Sequence, residues 1–168
     1  MVCKGISLME KNKQQVVDLL ISHSQILVRS RPYSEELSQW GKQNIAQGAV
    51  IHKDYVIFDP LPDDVFGANV FLTLSDSFTM DNQTQRCIVV PFYTHPKNTI
   101  EVASATEKFT INLQLDAPLY SLYYEICEGD EVFYKFTFIP ALVPITAHYI
   151  IDDQWGGKKG KMLQSGKV

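Results

Sequence analysis

After Gly48 short apolar stretches, rich in β-branched residues and set at regular spacing with little helix between them, read as a series of short strands. Val50 to Phe58 and Asn69 to Leu74 are the first two, followed by Arg86 to Tyr93 and Thr99 to Ala103. The cleanest alternation sets Phe109, Ile111, Leu113 and Leu115 against Lys108, Thr110, Asn112 and Gln114, as in a half-buried strand with one wet face. Leu119 to Cys127 and Glu131 to Ile139 flank Glu128-Gly129-Asp130. Glycine there permits positive φ, which predicts a tight antiparallel hairpin. His148 to Ile151 reads as a last short strand.

Before Val50 the pattern changes. Ser7 and Glu10 have the spacing of a capping box, and Val16, Leu19 and Leu20 are positioned to share one helical face. Ile26-Leu27-Val28 is extended, and Pro32 ends it. A second helix is predicted from an N-cap at Ser34, with Glu35 and Glu36 in its first turn, an apolar stripe of Leu37, Trp40 and Ile45, and a C-terminal cap at Gly48. The expected fold is therefore mainly β: an antiparallel β-sandwich with one or two N-terminal helices, both before residue 49. Residues 1–153 form one domain in this reading, and residues 154–168, rich in Gly and Lys, form a flexible basic tail.

Composition supports a globular chain. The 168 residues are 45% hydrophobic and 20% charged, enough for a core without disulfide or metal staples. No apolar run approaches the ~18 residues of a membrane helix. Met1 to Gly5 lacks the apolar stretch of a signal peptide, which predicts a cytoplasmic protein. Cys3, Cys87 and Cys127 have neither disulfide nor zinc-ribbon spacing and read as reduced thiols.

Charge adds a functional clue. The last fifteen residues hold Lys158, Lys159, Lys161 and Lys167 and no acid, so the rest of the chain carries −8 against the overall −4. Six acids (Asp54, Asp59, Asp63, Asp64, Asp76 and Asp81) fall between Asp54 and Gln85 with no Lys or Arg among them. Five more (Asp116, Glu125, Glu128, Asp130 and Glu131) fall between Phe109 and Tyr134, again with no cation. Most lie at predicted strand ends or loops, which gather at the two ends of a sandwich. Asp59, Asp63, Asp64, Asp76, Asp81, Glu128, Asp130 and Glu131 are the candidate partner-binding residues. Pro60 and Pro62 stiffen the loop that presents Asp63 and Asp64. Such a surface repels nucleic acid and suits a basic protein.

Catalytic chemistry is not signalled. His23, His52, His95 and His148 show no metal-ligand spacing, and no G-x-S-x-G or phosphate-loop motif occurs. Cys127 sits among Glu125, Glu128, Asp130 and Glu131, which disfavour a thiolate. No cofactor, metal site or catalytic residue is expected.

The order of features, from Ile21-Ser22-His23-Ser24-Gln25 through the helix with Trp40 and Gly48 to Arg86-Cys87-Ile88-Val89-Val90-Pro91-Phe92 and Thr99-Ile100-Glu101-Val102, resembles the competence protein J family over roughly residues 20–128. These are small inhibitors of a secreted DNA-entry nuclease. The resemblance implies a β-rich nuclease inhibitor or immunity-type protein, and it carries over no individual residues. The N-terminal helix, the long Asp54 to Gln85 region and the basic tail depart from the family pattern. The functional expectation is a non-enzymatic protein that blocks a basic nuclease or similar toxin through an acidic surface. The alternative is a β-sandwich that binds a carbohydrate or lipid, with Tyr55, Tyr93 and Tyr123 lining a concave face.

Overall fold

The computed structural model describes residues 13–22, 24–62 and 67–168. Among them are eleven strands and one helix: β1 (Gln14–Leu20), β2 (Ile26–Arg29), α1 (Lys42–Gln47), β3 (Ala49–Ile51), β4 (Tyr55–Phe58), β5 (Gly67–Leu74), β6 (Thr84–Tyr93), β7 (Glu101–Ala103), β8 (Lys108–Thr110), β9 (Leu119–Glu128), β10 (Val132–Pro140) and β11 (His148–Tyr149). The strands form two sheets, a six-stranded one in the order β1-β5-β10-β9-β6-β11 and a five-stranded one in the order β3-β4-β2-β7-β8. The fold is mainly β, as the alternation predicts. Every pairing is antiparallel except β5 with β10. Those two strands lie far apart in sequence, so no tight turn dictates their relative sense.

The sheets face each other across one core. Val28, Val56 and Phe58 of the smaller sheet meet Ile88, Val90, Leu122, Tyr124, Phe136 and Phe138 of the larger, all buried. Phe58 stacks on Tyr124 across the layers at 4.3 Å between ring centres. The hydroxyls of Tyr124 and Tyr134 donate to the Asp59 and Pro60 carbonyls, so neither ring takes an unsatisfied polar group into the core. Leu37 and Trp40 cover a second cluster of Leu27, Val50, Tyr55, Ile57 and Ala103 on the outer face of the smaller sheet.

Four expectations need correction. Gln14–Leu20 is a strand, not the end of a helix: Val17 and Leu19 are buried while Val16, Asp18 and Leu20 face outward. The Ser7–Glu10 capping box lies outside the described residues. The second helix starts seven residues later than predicted. Ser34 does cap a turn, with Leu37 N–H donating to its Oγ (3.2 Å), but the chain breaks before Gly41. Val168 packs so closely on Gly41 that a Cβ there would collide with its carbonyl. Gly48 closes α1 at φ 81°, as expected of a C-terminal cap. Val50 to Phe58 divides into β3 and β4 around a turn at residues 52–54. In the Phe109 to Leu115 stretch the ladder ends at Thr110, yet Ile111 and Leu113 remain buried and Asn112 and Gln114 exposed.

The segment from residue 154, expected as a flexible tail, is docked on the body. Leu163 is buried in the main core. Gln47 Nε2 donates to the Gln164 carbonyl, and Gln164 N–H donates back to Gln47 Oε1, both at 2.9 Å. Asn44 exchanges the same kind of bonds with Gly166 and Val168. Arg86 anchors the start of this segment. A bulge between Thr84 and Arg86 turns the Arg86 side chain inward. There it forms a two-pronged pair with Asp153 (Nε–Oδ2 2.8 Å, Nη2–Oδ1 3.1 Å) and lies against the rings of Tyr149 and Trp155. Among the described residues, no helix is long and apolar enough to cross a membrane.

Candidate functional site

The β9–β10 hairpin closes one end of the larger sheet. Val132 pairs with Glu128, so Gly129, Asp130 and Glu131 form the loop. Gly129 does not use positive φ. What it supplies is room, since a Cβ there would meet the Gln83 amide at 2.8 Å. Glu128 N–H donates to the Gln83 carbonyl (3.0 Å), which ties the hairpin to the turn before β6. Glu128, Asp130 and Glu131 are all exposed.

Residues 75–83 form a strap across the outer face of the same sheet. It starts near the far end of β10, where Ser75 N–H donates to the Phe138 carbonyl, and ends at the hairpin. Phe78 lies flat on Tyr123, with ring centres 4.0 Å apart. Glu125, fully buried beneath the strap, accepts at Oε1 from Asp81 N–H (2.9 Å) and Thr84 Oγ–H (2.7 Å), while Oε2 has no partner among the described residues. Asp81 also binds Lys135 (3.3 Å) and accepts from Gln83 N–H.

Beside the strap lies an open groove of about 510 Å³. Its floor is Phe71 and Phe133, packed edge to face at 5.6 Å. Its rim is Asn69, Gln83, Asp130 and Glu131, and the lining contains no Lys or Arg. Asp18, exposed on β1 directly opposite Asn69, adds another carboxylate on that face. Among the described residues Asp18, Glu128, Asp130 and Glu131 form no ion pair, so their field is not cancelled locally. A half-buried aromatic floor under unpaired carboxylates suits an arginine or lysine side chain, which each ring face and each carboxylate attracts.

The predicted acids therefore divide. Asp81, Glu128, Asp130 and Glu131 gather at the hairpin end. Asp59 sits in the seam between the sheets, where its Oδ1 accepts from Leu61 N–H. Asp76 lies at the opposite end of the larger sheet, next to Ser75. Asp63 and Asp64 lie outside the described residues. Sequence reasoning missed Asp18, because a helical reading of that segment hid its outward position. It missed Phe71 and Phe133 because they meet only across the parallel β5–β10 pair.

The aromatics proposed for a ligand face do not come together. Tyr55 is buried on the outer face of the smaller sheet, with its hydroxyl 2.6 Å from Ser38 Oγ. Tyr123 is covered by Phe78, and Tyr93 lies under Lys53. No group of three metal-ligating side chains occurs among the described residues. Burial pushes both described thiols up, Cys127 to about 12 against a weaker opposing hydrogen bond from Thr84, and Cys87 further still. Both are held as neutral thiols.

Comparison with known proteins agrees with this fold. A family model described as competence protein J (ComJ) matches residues 18–139. Among solved structures, ComJ of Bacillus subtilis, described as an inhibitor of the DNA-degrading activity of NucA, superposes with a TM-score of 0.62 at 18% identity. The match covers 76% of this chain and 96% of that one. A protein described as crocagin biosynthetic gene J matches over the same shares, at 13% identity and a TM-score of 0.43. A search of curated proteins finds no match. With its matched region spanning β1 to β10, the chain belongs to the competence protein J family.

Proposed function

We propose that this protein inhibits a DNA-degrading nuclease by seating its acidic hairpin end in the enzyme's basic DNA cleft, without catalysis of its own. The observation that carries this reading is the cation-free groove with its Phe71–Phe133 floor and Asp130–Glu131 rim. Family membership and the role described for the Bacillus subtilis relative support it. Nucleases hold DNA phosphates with Lys and Arg, so their clefts are positive and attract such a rim. Asp18, Glu128, Asp130 and Glu131 steer the encounter, and Phe71 and Phe133 take a basic side chain of the enzyme once docked. Asp59, in the seam between the sheets, and Asp76, at the opposite end of the larger sheet, are left out of this contact. The protein acts inside the cell, against a basic partner and not against nucleic acid.

The test is inhibition of DNA cleavage by a nuclease of the NucA kind, with wild type compared to Phe133→Ala and to the double variant Asp130→Asn, Glu131→Gln. The acid variant is expected to associate more slowly, and Phe133→Ala to dissociate faster, by roughly tenfold or more for a loss of ~1.4 kcal/mol. Unchanged inhibition by both would overturn the reading.

A further inference from the structure

The smaller sheet carries the opposite charge. A trough runs along its outer face in two basins that share Arg29, Tyr33 and Lys108, and the larger has a volume of about 550 Å³. Arg31 and Lys97 also line that basin, so four cations face one depression on an otherwise acidic molecule. Glu101 is the acid lining that basin, and Glu107 lines the smaller one. Glu101 is shared between Arg29 (3.0 Å) and Lys108 (3.7 Å). Arg31 touches Asp54 at the periphery, at 3.8 Å.

Arg29 is the informative member. It is 6% exposed, yet only its Nε is satisfied, by Glu101 Oε1. Its two terminal nitrogens make no hydrogen bond among the described residues, and the residue lines both basins. Neither nitrogen is a buried polar atom left without a partner, so both reach the open side of the trough. Here four N–H groups in a planar fork remain for something in the trough, flanked by exposed Lys97 and Lys108. That fork matches two oxygens of a phosphate better than it matches a halide or a single carbonyl. Tyr33, 62% exposed above the same basin, offers a ring face to a flat group carried by the phosphate.

We propose that this trough is a phosphate-binding site, with Arg29 gripping the oxyanion, Lys97 and Lys108 flanking it, and Tyr33 contacting the group it is attached to. The site is on the sheet opposite the acidic groove and is independent of the nuclease reading.

The test is a titration of the full ¹⁵N-labelled chain with inorganic phosphate, with a nucleoside monophosphate and with the unphosphorylated nucleoside, at constant ionic strength in chloride. Saturable amide shifts are expected around residues 29–33, 97–101 and 108 with both phosphorylated probes and not with the nucleoside. Tighter binding of the nucleotide than of phosphate assigns the ligand's flat group to Tyr33, and equal binding assigns the site to phosphate alone; both outcomes support the proposal. Arg29→Lys keeps the charge but removes the fork, and is expected to weaken binding about tenfold or more. Lys97→Ala lies in a loop and leaves the sheet untouched, so it reports on the site even where Arg29→Lys unfolds. A several-fold loss is expected from it. The proposal is overturned by shifts that never saturate, by shifts centred on Lys158 to Lys161, or by wild-type affinity in Lys97→Ala and in a folded Arg29→Lys.

Discussion

Arg86 and Asp153 carry the largest single-residue stake in the fold, since both charged groups are buried (1% and 0% exposed) and each is the other's main partner. Removing one partner of such a pair leaves a charge without compensation, at a cost of about 3–5 kcal/mol. Arg86→Ala should therefore lose a large part of its stability in chemical denaturation. Gly157→Ala should destabilise by the same route, because a Cβ at that position would collide with the Asp153 carboxylate. For Asp153, burial alone raises the pKa, but the hydrogen bonds from Arg86, Gly157 and Trp155 and the Arg86 charge outweigh it and hold the carboxyl below its usual range. A group depressed in the folded state contributes stability above its unfolded pKa of about 3.9 and loses it as pH falls through the folded value. The wild type should weaken on acidification below about pH 4, and an Asp153→Asn variant should show a flatter acid limb in pH-dependent melting. The cysteines give a second residue-level check. Cys87 and Cys127 are buried with raised pKa values, so in a Cys3→Ser background neither should react appreciably with a thiol reagent near about pH 8 until the chain unfolds. Fast labelling of the native protein would contradict that placement.

At the scale of elements, the C-terminal segment makes the sharpest claim. Its Leu163 enters the core, and its backbone bonds to the buried amides of Asn44 and Gln47. Deleting residues 157–168 removes that apolar burial, worth ~2 kcal/mol, and strands two buried amides at a further ~1–3 kcal/mol each. The melting temperature should drop by roughly 10 °C or more, at about 2–4 °C per kcal/mol for a chain of this length. A truncated protein that melts like wild type would show the segment to be dispensable. This was illegible in the sequence for a physical reason: the side chains that hold the segment, Asn44 and Gln47, are polar, and their pairing across more than 100 residues leaves no local pattern. The strands from β5 to β10 were legible as short apolar or alternating stretches, and period two is clear where one face is wet, as in β5, while β6 is buried on both faces over Arg86 to Val90. β1 also obeys that period, but Val16 and Leu20 are apolar on its outward face and imitate a helical stripe. The acidic hairpin was legible because its three acids are local. The groove it rims was not, since Phe71 and Phe133 come from strands that pair in parallel after a long excursion.

At the scale of the whole molecule, charge is sorted by face. The outer face of the larger sheet carries Asp18, Asp130 and Glu131, which form no ion pair among the described residues, and the outer face of the smaller sheet carries Arg29, Arg31, Lys97 and Lys108 against Glu101. Such a dipole orients the protein as it approaches a charged partner. Association with a basic nuclease should slow as salt rises, because rim charges act mainly on the encounter rate. The acid variants should show a shallower salt dependence than wild type while melting at the same temperature, since exposed charges contribute little to stability.

The most direct test of the central claim measures association and dissociation rates with a NucA-type nuclease at low and high salt, for wild type, for Asp130→Asn with Glu131→Gln, and for Phe133→Ala. The groove account predicts slower, less salt-sensitive association for the acid variant, faster dissociation for Phe133→Ala, and weaker inhibition of DNA cleavage by both. Wild-type rates and full inhibition by both folded variants, at either salt concentration, would contradict it.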